Sequence, residues 1–466
     1  MASHPIDSEL FRDQFGTEEM RQVFSDASII QKWLNVEAAL AVAQAELNII
    51  PESAAEEICK KASVEMLDFT VIREGMKASS HPLITVIKSL EELCEEDASR
   101  YIHWGATTQD IIDTGLVLQI KEAREQLLKQ TNVILDTLLS LAQQYKNTLM
   151  PGRTHGQHAL PITFGYKVAI WVDEIGRHIS RLEESEQRIL TGQFGGAAGT
   201  LASLEDMAFP VQEKMLASLG LQSPTITWHV ARDNFAEFAM NIGMIAATLE
   251  KISNEIINMQ RTELAELEEG FVDGKVGSST MPHKRNPMIC EYVVGICKVA
   301  RKQVALALDC MVQEHERDMA LWQVEWAYIP EICILTSGAL AQMQTVIEGL
   351  IVNEANMRKN VGITRGLIVS EKVMLGLAQY VGRQKAHDLV YHVSMRAFEK
   401  DKSLEEVLLS YPEILRHMSK EEVLSLIQPE NYLGQCISFV DRVAKKWQKK
   451  QINHEQVSSR EGDNDD

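Results

Sequence analysis

The densest chemistry in the chain lies in eleven residues, Gly277-Ser278-Ser279-Thr280-Met281-Pro282-His283-Lys284-Arg285-Asn286-Pro287. They bring hydroxyls, an ammonium, a guanidinium and an amide close together in sequence. Gly270, Gly274 and Gly277 loosen the polar approach from Glu268, and an apolar-rich segment resumes after Pro287. The spacing predicts a mobile loop that delivers polar groups to a helix N-terminus, where free N–H groups and positive potential accumulate. A serine is a poor base at its free pKa and needs cations or oriented N–H donors to hold an alkoxide. Lys284 and the helix terminus are placed to supply them. On residue types alone, a solvated basic loop is an equally good account.

Long helices must position such a loop. No proline falls between Pro82 and Pro151, Pro224 and Pro282, or Pro330 and Pro412, and proline is the strongest helix breaker. Phe235, Phe238, Ile242, Ile245, Leu249, Ile252, Ile256 and Met259 recur in steps of three and four, a heptad stripe of the kind that supercoils helices. Segments 112–149, 162–191 and 288–327 also read as long helices, and no strand-like alternation of any length appears. The expected fold class is all-α, in three helical domains: an N-terminal domain over 1–111, a central long-helix bundle over 112–356 carrying the loop 270–287, and a C-terminal domain over 357–450. The acidic tail 451–466 reads as disordered. The stripe predicts a multi-helix core shared between copies of the chain.

Composition narrows the function. The chain has 466 residues and a formal charge of −20, with 12 prolines and 26 glycines. The acidity argues against nucleic acid, which needs a basic surface, but leaves room for a local basic pocket. Seven cysteines, Cys59, Cys94, Cys290, Cys297, Cys310, Cys333 and Cys436, show no C-x-x-C spacing, as in reduced cytoplasmic proteins. The polar start is no signal peptide, and no apolar run reaches the roughly 18 residues of a membrane span. No His/Cys/Asp cluster has metal-ligand spacing, so neither metal nor cofactor is expected. The glycine-rich run Gly192–Thr200 lacks the Gly-Lys-Ser/Thr of a phosphate loop, so it reads as a turn or close backbone approach.

The eleven-residue string matches all seven fixed positions of G-S-S-x-M-P-x-K-x-N and resembles the signature of the fumarase/aspartase superfamily. The resemblance implies Ser278 as general base on a loop that closes over substrate, with Lys284 and Asn286 binding a substrate carboxylate. His103-Trp104-Gly105-Ala106-Thr107-Thr108-Gln109-Asp110 resembles a second region of that family, whose hydroxyls hold a substrate carboxylate; Thr107 and Thr108 take that role. Arg153-Thr154-His155-Gly156-Gln157 resembles a third, whose histidine is the general acid in the adenylosuccinate lyase branch. His155 takes that role and Gln157 touches substrate. His81, in Ser80-His81-Pro82, sits where this branch places a binding histidine. His81 and His103 also fit hydrogen-bonded structural histidines, and His158, His178, His229 and His283 read as structural or peripheral. The resemblance covers residues from about 8 to about 447 and implies a homotetramer whose active sites are each assembled from three subunits.

Within the superfamily, Trp228–Asp233, Gly195–Ala202 and Gly366–Val443 look most like 3-carboxy-cis,cis-muconate cycloisomerase. Adenylosuccinate lyases follow an Arg-Asp with a serine and an arginine that hold the nucleotide. Here Arg317-Asp318 is present, with Arg317 as a binding residue, but Trp322 and Trp326 occupy the two later positions. The expected activity is acid–base β-elimination or its reverse on a polycarboxylate, most like that cycloisomerase. A fumarate-releasing lyase acting on a succinyl or amino-acid adduct is the alternative. A structural scaffold would not need the polar set Ser278, Lys284, Asn286 and His155.

Overall fold

A computed structural model describes residues 4–270, 281 and 283–448. The all-α expectation holds. The long helices are α1 (Asp26–Glu46), α2 (Thr108–Gln144), α3 (Phe164–Glu184), α4 (Asp233–Met259), α5 (Met288–Asp309) and α6 (Met319–Glu348). Shorter helices precede α2 and follow α6.

Local chemistry explains the boundaries. Helix α1 starts at Ser25, whose hydroxyl accepts the Ser28 N–H, satisfying one of the orphan donors of a first turn. Helix α2 starts with a reciprocal cap. Asp110 reaches back to accept the Thr107 N–H at 3.0 Å while its own N–H bonds the Thr107 carbonyl, the carboxylate half of a capping box. Between α5 and α6, Asp318 accepts the Ala320 N–H at 2.9 Å and the Glu314 N–H at 3.2 Å. The helix expected over 288–327 is therefore two helices, divided where the polar run Gln313–Asp318 turns. Pro330 does not break the chain, but lies inside α6.

Strand-like alternation was not found in the sequence, yet a short hairpin is present. Strands β1 (Leu149–Thr154) and β2 (Gln157–Thr163) pair antiparallel, with a register shift between Gly152 and Arg153. Pro151, Gly152 and Pro161 break the alternation that would have revealed it. His155 and Gly156 close the hairpin with φ of +52° and +75°. Two successive positive-φ residues fit the two-residue turn that suits the twist of paired strands.

The eight residues of the α4 heptad stripe are all buried, none more than 1% exposed. Each contributes roughly 1.5–3 kcal/mol by leaving water. The stripe is thus consumed inside one chain and does not by itself call for a partner.

The chain divides into two compact units. Unit 1 comprises 1–131, 178–250 and 292–342; unit 2 comprises 132–177, 251–291 and 343–466. At the heart of unit 1, Arg232 is fully buried between Asp113 (Nη1 to Oδ2, 2.7 Å) and Glu325 (Nε to Oε1, 2.8 Å). Unit 2 contains the hairpin and a C-terminal core built on Val369, Val373, Leu377, Val390 and Val393. No described helix is long and apolar enough to cross a membrane.

Candidate functional site

The structure gathers five of the sequence-nominated residues in unit 1. Thr107 and Thr108 stand at the start of α2, where the helix presents positive potential. Arg317, in the turn before α6, donates from Nη1 to the Thr107 hydroxyl at 2.7 Å and from Nε to Gln109 Oε1 at 3.2 Å. The Thr108 hydroxyl lies 3.2 Å from His81 Nε2. Nδ1 of His103 lies 2.6 Å from Oε1 of the buried Glu37.

The two histidines are pushed in opposite directions. Burial, helped by the nearby charges of His103 and Arg317, holds His81 below the ordinary imidazole value. Burial also opposes a charge on His103, but the Glu37 hydrogen bond and negative charge outweigh it, and its pKa is raised. The group therefore combines two hydroxyls, a guanidinium, an imidazole biased toward the cation and one biased toward neutrality. Such donors around one small space suit a carboxylate.

Beneath it lies a layer the sequence reading missed. Asp110 is fully buried and accepts four hydrogen bonds: from the N–H groups of Thr107 (3.0 Å), Gly195 (2.9 Å) and Gly196 (2.9 Å), and from His229 Nε2 (2.8 Å). The glycine-rich run thus wraps over the first turn of α2, and its Ala197 carbonyl accepts from Arg317 at 3.4 Å. Gly196 and Gly199 adopt φ of +71° and +83°, a backbone state that side chains resist. At Gly195, an added Cβ would meet the Thr227 hydroxyl at 2.6 Å. The close backbone approach was legible; the carboxylate it approaches was not. His229, read as structural or peripheral, is a buried member of this layer.

In unit 2, His155 and Gln157 stand exposed at the hairpin turn. The hairpin is anchored behind them by Arg153, which makes a two-pronged bond to the buried Glu266 at 2.6 and 2.8 Å. Asn360 donates to the same carboxylate at 2.9 Å. Burial and the adjacent Arg153 hold His158 below its usual pKa.

Lys284 and Asn286 precede α5 in unit 2, Lys284 exposed and Asn286 half-buried. Ser278 lies outside the described residues. The α5 N-terminus differs from the sequence reading. Its Ile289 N–H donates to Glu269 at 3.0 Å and its Cys290 N–H at 3.3 Å, and Glu269 is 5% exposed. An internal carboxylate therefore occupies two of the N–H donors of this helix terminus.

Trp322 and Trp326 also have definite places in unit 1. Trp322 is 2% exposed and its Nε1 donates to Asp113 at 2.8 Å. The Trp326 ring packs edge-on against it, centroids 5.0 Å apart. Among the described residues, no group of three or more His, Cys, Asp or Glu is arranged to hold a metal.

Comparison with known proteins follows this geometry. The lyase family matches residues 13–301, and the adenylosuccinate lyase C-terminus family matches 366–443. The N-acetyl-S-(2-succino)cysteine lyase of Enterococcus italicus is 45% identical over 97% of this chain and 99% of its own. The adenylosuccinate lyase of Methanocaldococcus jannaschii is 41% identical over 96% of each chain. Among solved structures, the 3-carboxy-cis,cis-muconate lactonizing enzyme of Pseudomonas putida superposes with a TM-score of 0.89 at 37% identity, covering 95% of this chain and 99% of its own.

Proposed function

Because the chain belongs to the fumarase/aspartase superfamily of lyases, in the branch that holds adenylosuccinate lyase and 3-carboxy-cis,cis-muconate cycloisomerase, we propose that it cleaves a succinyl adduct by β-elimination and releases fumarate. The observation that carries this reading is the unit 1 group of Thr107, Thr108, His81, His103 and Arg317, whose donors match the carboxylates of a succinyl unit. The choice of a thioether adduct over a lactone is supported by the 45% identity to a lyase named for S-(2-succino)cysteine.

In this reading a hydrogen α to one carboxylate must leave as a proton. The electron pair passes through a dianionic aci-carboxylate, which is stabilised only by donors aimed at its oxygens. Thr107, Thr108 and Arg317 serve one carboxylate, and Lys284 and Asn286 serve the other. Ser278 takes the proton. The C–S or C–N bond then breaks, and His155 gives a proton to the leaving atom. Gln157 contacts the substrate beside it. Trp322 and Trp326 bring no cation for a nucleotide phosphate, which supports a smaller adduct than adenylosuccinate.

We place these groups in one site by association of four copies, with His155 and Ser278 supplied by different subunits. Exposed Met240, Val299, Leu306, Leu308 and Val312 in unit 1 supply an apolar surface for that association. The seven cysteines, with no C-x-x-C spacing, fit a reducing, cytoplasmic setting.

The test is incubation of the purified chain with N-acetyl-S-(2-succino)cysteine, following the ultraviolet absorbance of fumarate and the appearance of free thiol. Equal amounts of both support the reading. The structural likeness to the Pseudomonas putida enzyme favours a second one, lactonisation of 3-carboxy-cis,cis-muconate. Conversion of that compound to an isomer of unchanged mass, with no thiol released from the adduct, would replace the first reading by the second. A monomeric mass in light scattering would exclude the shared site.

A further inference from the structure

Glu37 lies deep in α1, its side chain 1% exposed. Its two oxygens grip two groups of one residue. Oε2 accepts the His103 backbone N–H at 3.0 Å, and Oε1 bonds the ring Nδ1 at 2.6 Å. His103 has φ of +59°, a conformation unusual for a residue with a side chain, and the double grip holds it there. With Nδ1 committed inward, the opposite ring nitrogen, Nε2, has no hydrogen-bond partner among the described residues. The His103 side chain keeps 24% of its exposure.

We propose that Glu37 is a positioning residue, whose double hold on His103 fixes the ring so that Nε2–H donates to the substrate carboxylate also met by Thr107, Thr108 and Arg317. This rests on the fumarate-releasing reading above. A buried carboxylate needs a partner for its charge, and an imidazolium held at 2.6 Å supplies it. The groups facing His103 come from four elements: Glu37 from α1, Asp110 from the first turn of α2, Glu91 from the helix Ile84–Leu93, and His81 from the loop before that helix. Three of the four are acids, so the surroundings favour a cation. That cation, beside Arg317, selects a substrate end carrying full negative charge rather than an amide or ester.

The sign of the pH dependence follows. His103 has a raised pKa in the folded chain, so its cation persists through acidic pH and is lost as pH rises past that raised value. Removing the Glu37 charge moves this loss to lower pH.

The experiment is calorimetric titration of the full-length protein with fumarate across acidic to mildly alkaline pH. In Glu37→Gln the fall in fumarate affinity is expected at least about one pH unit below that of the native chain, a roughly tenfold change in proton affinity. Glu37→Asp should restore part of the shift. His103→Gln should remove this titration step and weaken binding, and it carries the test if Glu37→Gln does not fold. An unchanged midpoint in Glu37→Gln, or persistence of the step in His103→Gln, overturns the proposal. The readout is binding rather than turnover. A chain that binds fumarate with the expected shift but leaves succinyl adducts intact refutes the proposed reaction alone. Turnover with an unshifted midpoint refutes the role of Glu37 alone.

Discussion

Replacing Asp110 by Asn changes one atom and should damage both stability and binding. In the native chain both carboxylate oxygens are fully used: Oδ1 by Gly195 N–H and His229 Nε2, Oδ2 by Thr107 and Gly196 N–H. An asparagine offers one acceptor oxygen and one NH₂ group. Turned toward Thr107 and Gly196, its NH₂ faces two backbone N–H donors; turned toward Gly195 and His229 it faces one, because a neutral His229 ring can move its proton to Nδ1, beside the Thr227 hydroxyl, and accept at Nε2. At least one hydrogen bond to a charged acceptor is lost, worth about 1.5–3 kcal/mol, and at least the Gly195 N–H is left buried without a partner. The expected cost is therefore roughly 2–4 kcal/mol, with the melting temperature lowered on the order of 2–8 °C. The glycine-rich run should also lift away from Thr107, taking with it the Ala197 carbonyl that steadies Arg317, so KM should rise more than kcat falls. Differential scanning calorimetry at a fixed scan rate and steady-state kinetics on the succinyl thioether test both effects. Melting within about 1 °C of the native chain together with an unchanged KM would refute the idea that Asp110 holds this site in shape.

Three further outcomes are expected. Ser278→Ala should abolish most turnover while leaving the assembly mass in light scattering unchanged, and near-native turnover would remove Ser278 from the role of base. His155→Gln should slow release of an amine from a succinyl adduct far more than release of a thiol, since a thiolate, with a free pKa near 8.5, leaves without protonation more readily; equal losses on both substrates in parallel kinetic runs would argue against His155 as the acid. Gly156→Ala adds a Cβ that meets nothing within 4 Å, so its cost is the positive φ alone, about 1–2 kcal/mol; it should show as a reduced kcat with little change in melting temperature, and an unchanged kcat would mean that His155 does not depend on this turn.

How much of this was legible in the sequence depended on whether the signal was local. The α4 stripe could be read residue by residue because helical periodicity reports burial directly. The hairpin could not, since Pro151, Gly152 and Pro161 interrupt the alternation and pairing depends on a partner strand. The division between α5 and α6 was missed because Asp318 closes it through side-chain bonds that no period reveals. His81, Thr107, Thr108, His155 and Arg317 were nominated through segment resemblance. The supports of the unit 1 group, Glu37 and Asp110, were not, though each left a trace. Glu37 falls on the buried phase of α1, with Trp33 and Leu34 one turn before it and Leu40 and Ala41 one turn after. Asp110 stands three residues after a threonine at the start of a long apolar-patterned segment, the spacing of a cap. What neither trace gives is the partner, because His103 and Gly195 meet these acids only when distant parts of the chain are folded together.

The buried charges of unit 1 make sense as a foundation for this arrangement rather than as a source of stability. Arg232 with Asp113 and Glu325 is one cation against two acids, and burial with the neighbouring Asp113 holds Glu325 above the ordinary carboxylate range, near 7, despite Arg232. Taking such groups out of water costs several kcal/mol per ion, and apolar replacements of similar shape often stabilise a fold as well or better. The cluster is nevertheless wired toward the candidate site. Asp113 accepts from Gln109 at 3.2 Å, Gln109 accepts from Arg317 at 3.2 Å, and Arg317 reaches the Thr107 hydroxyl. Each bond has direction as well as strength, so the chain fixes where the Arg317 guanidinium can point. Apolar packing would fill the same space without that constraint. A site that must aim several donors at two oxygens of a short-lived dianion gains more from fixed direction than from added stability.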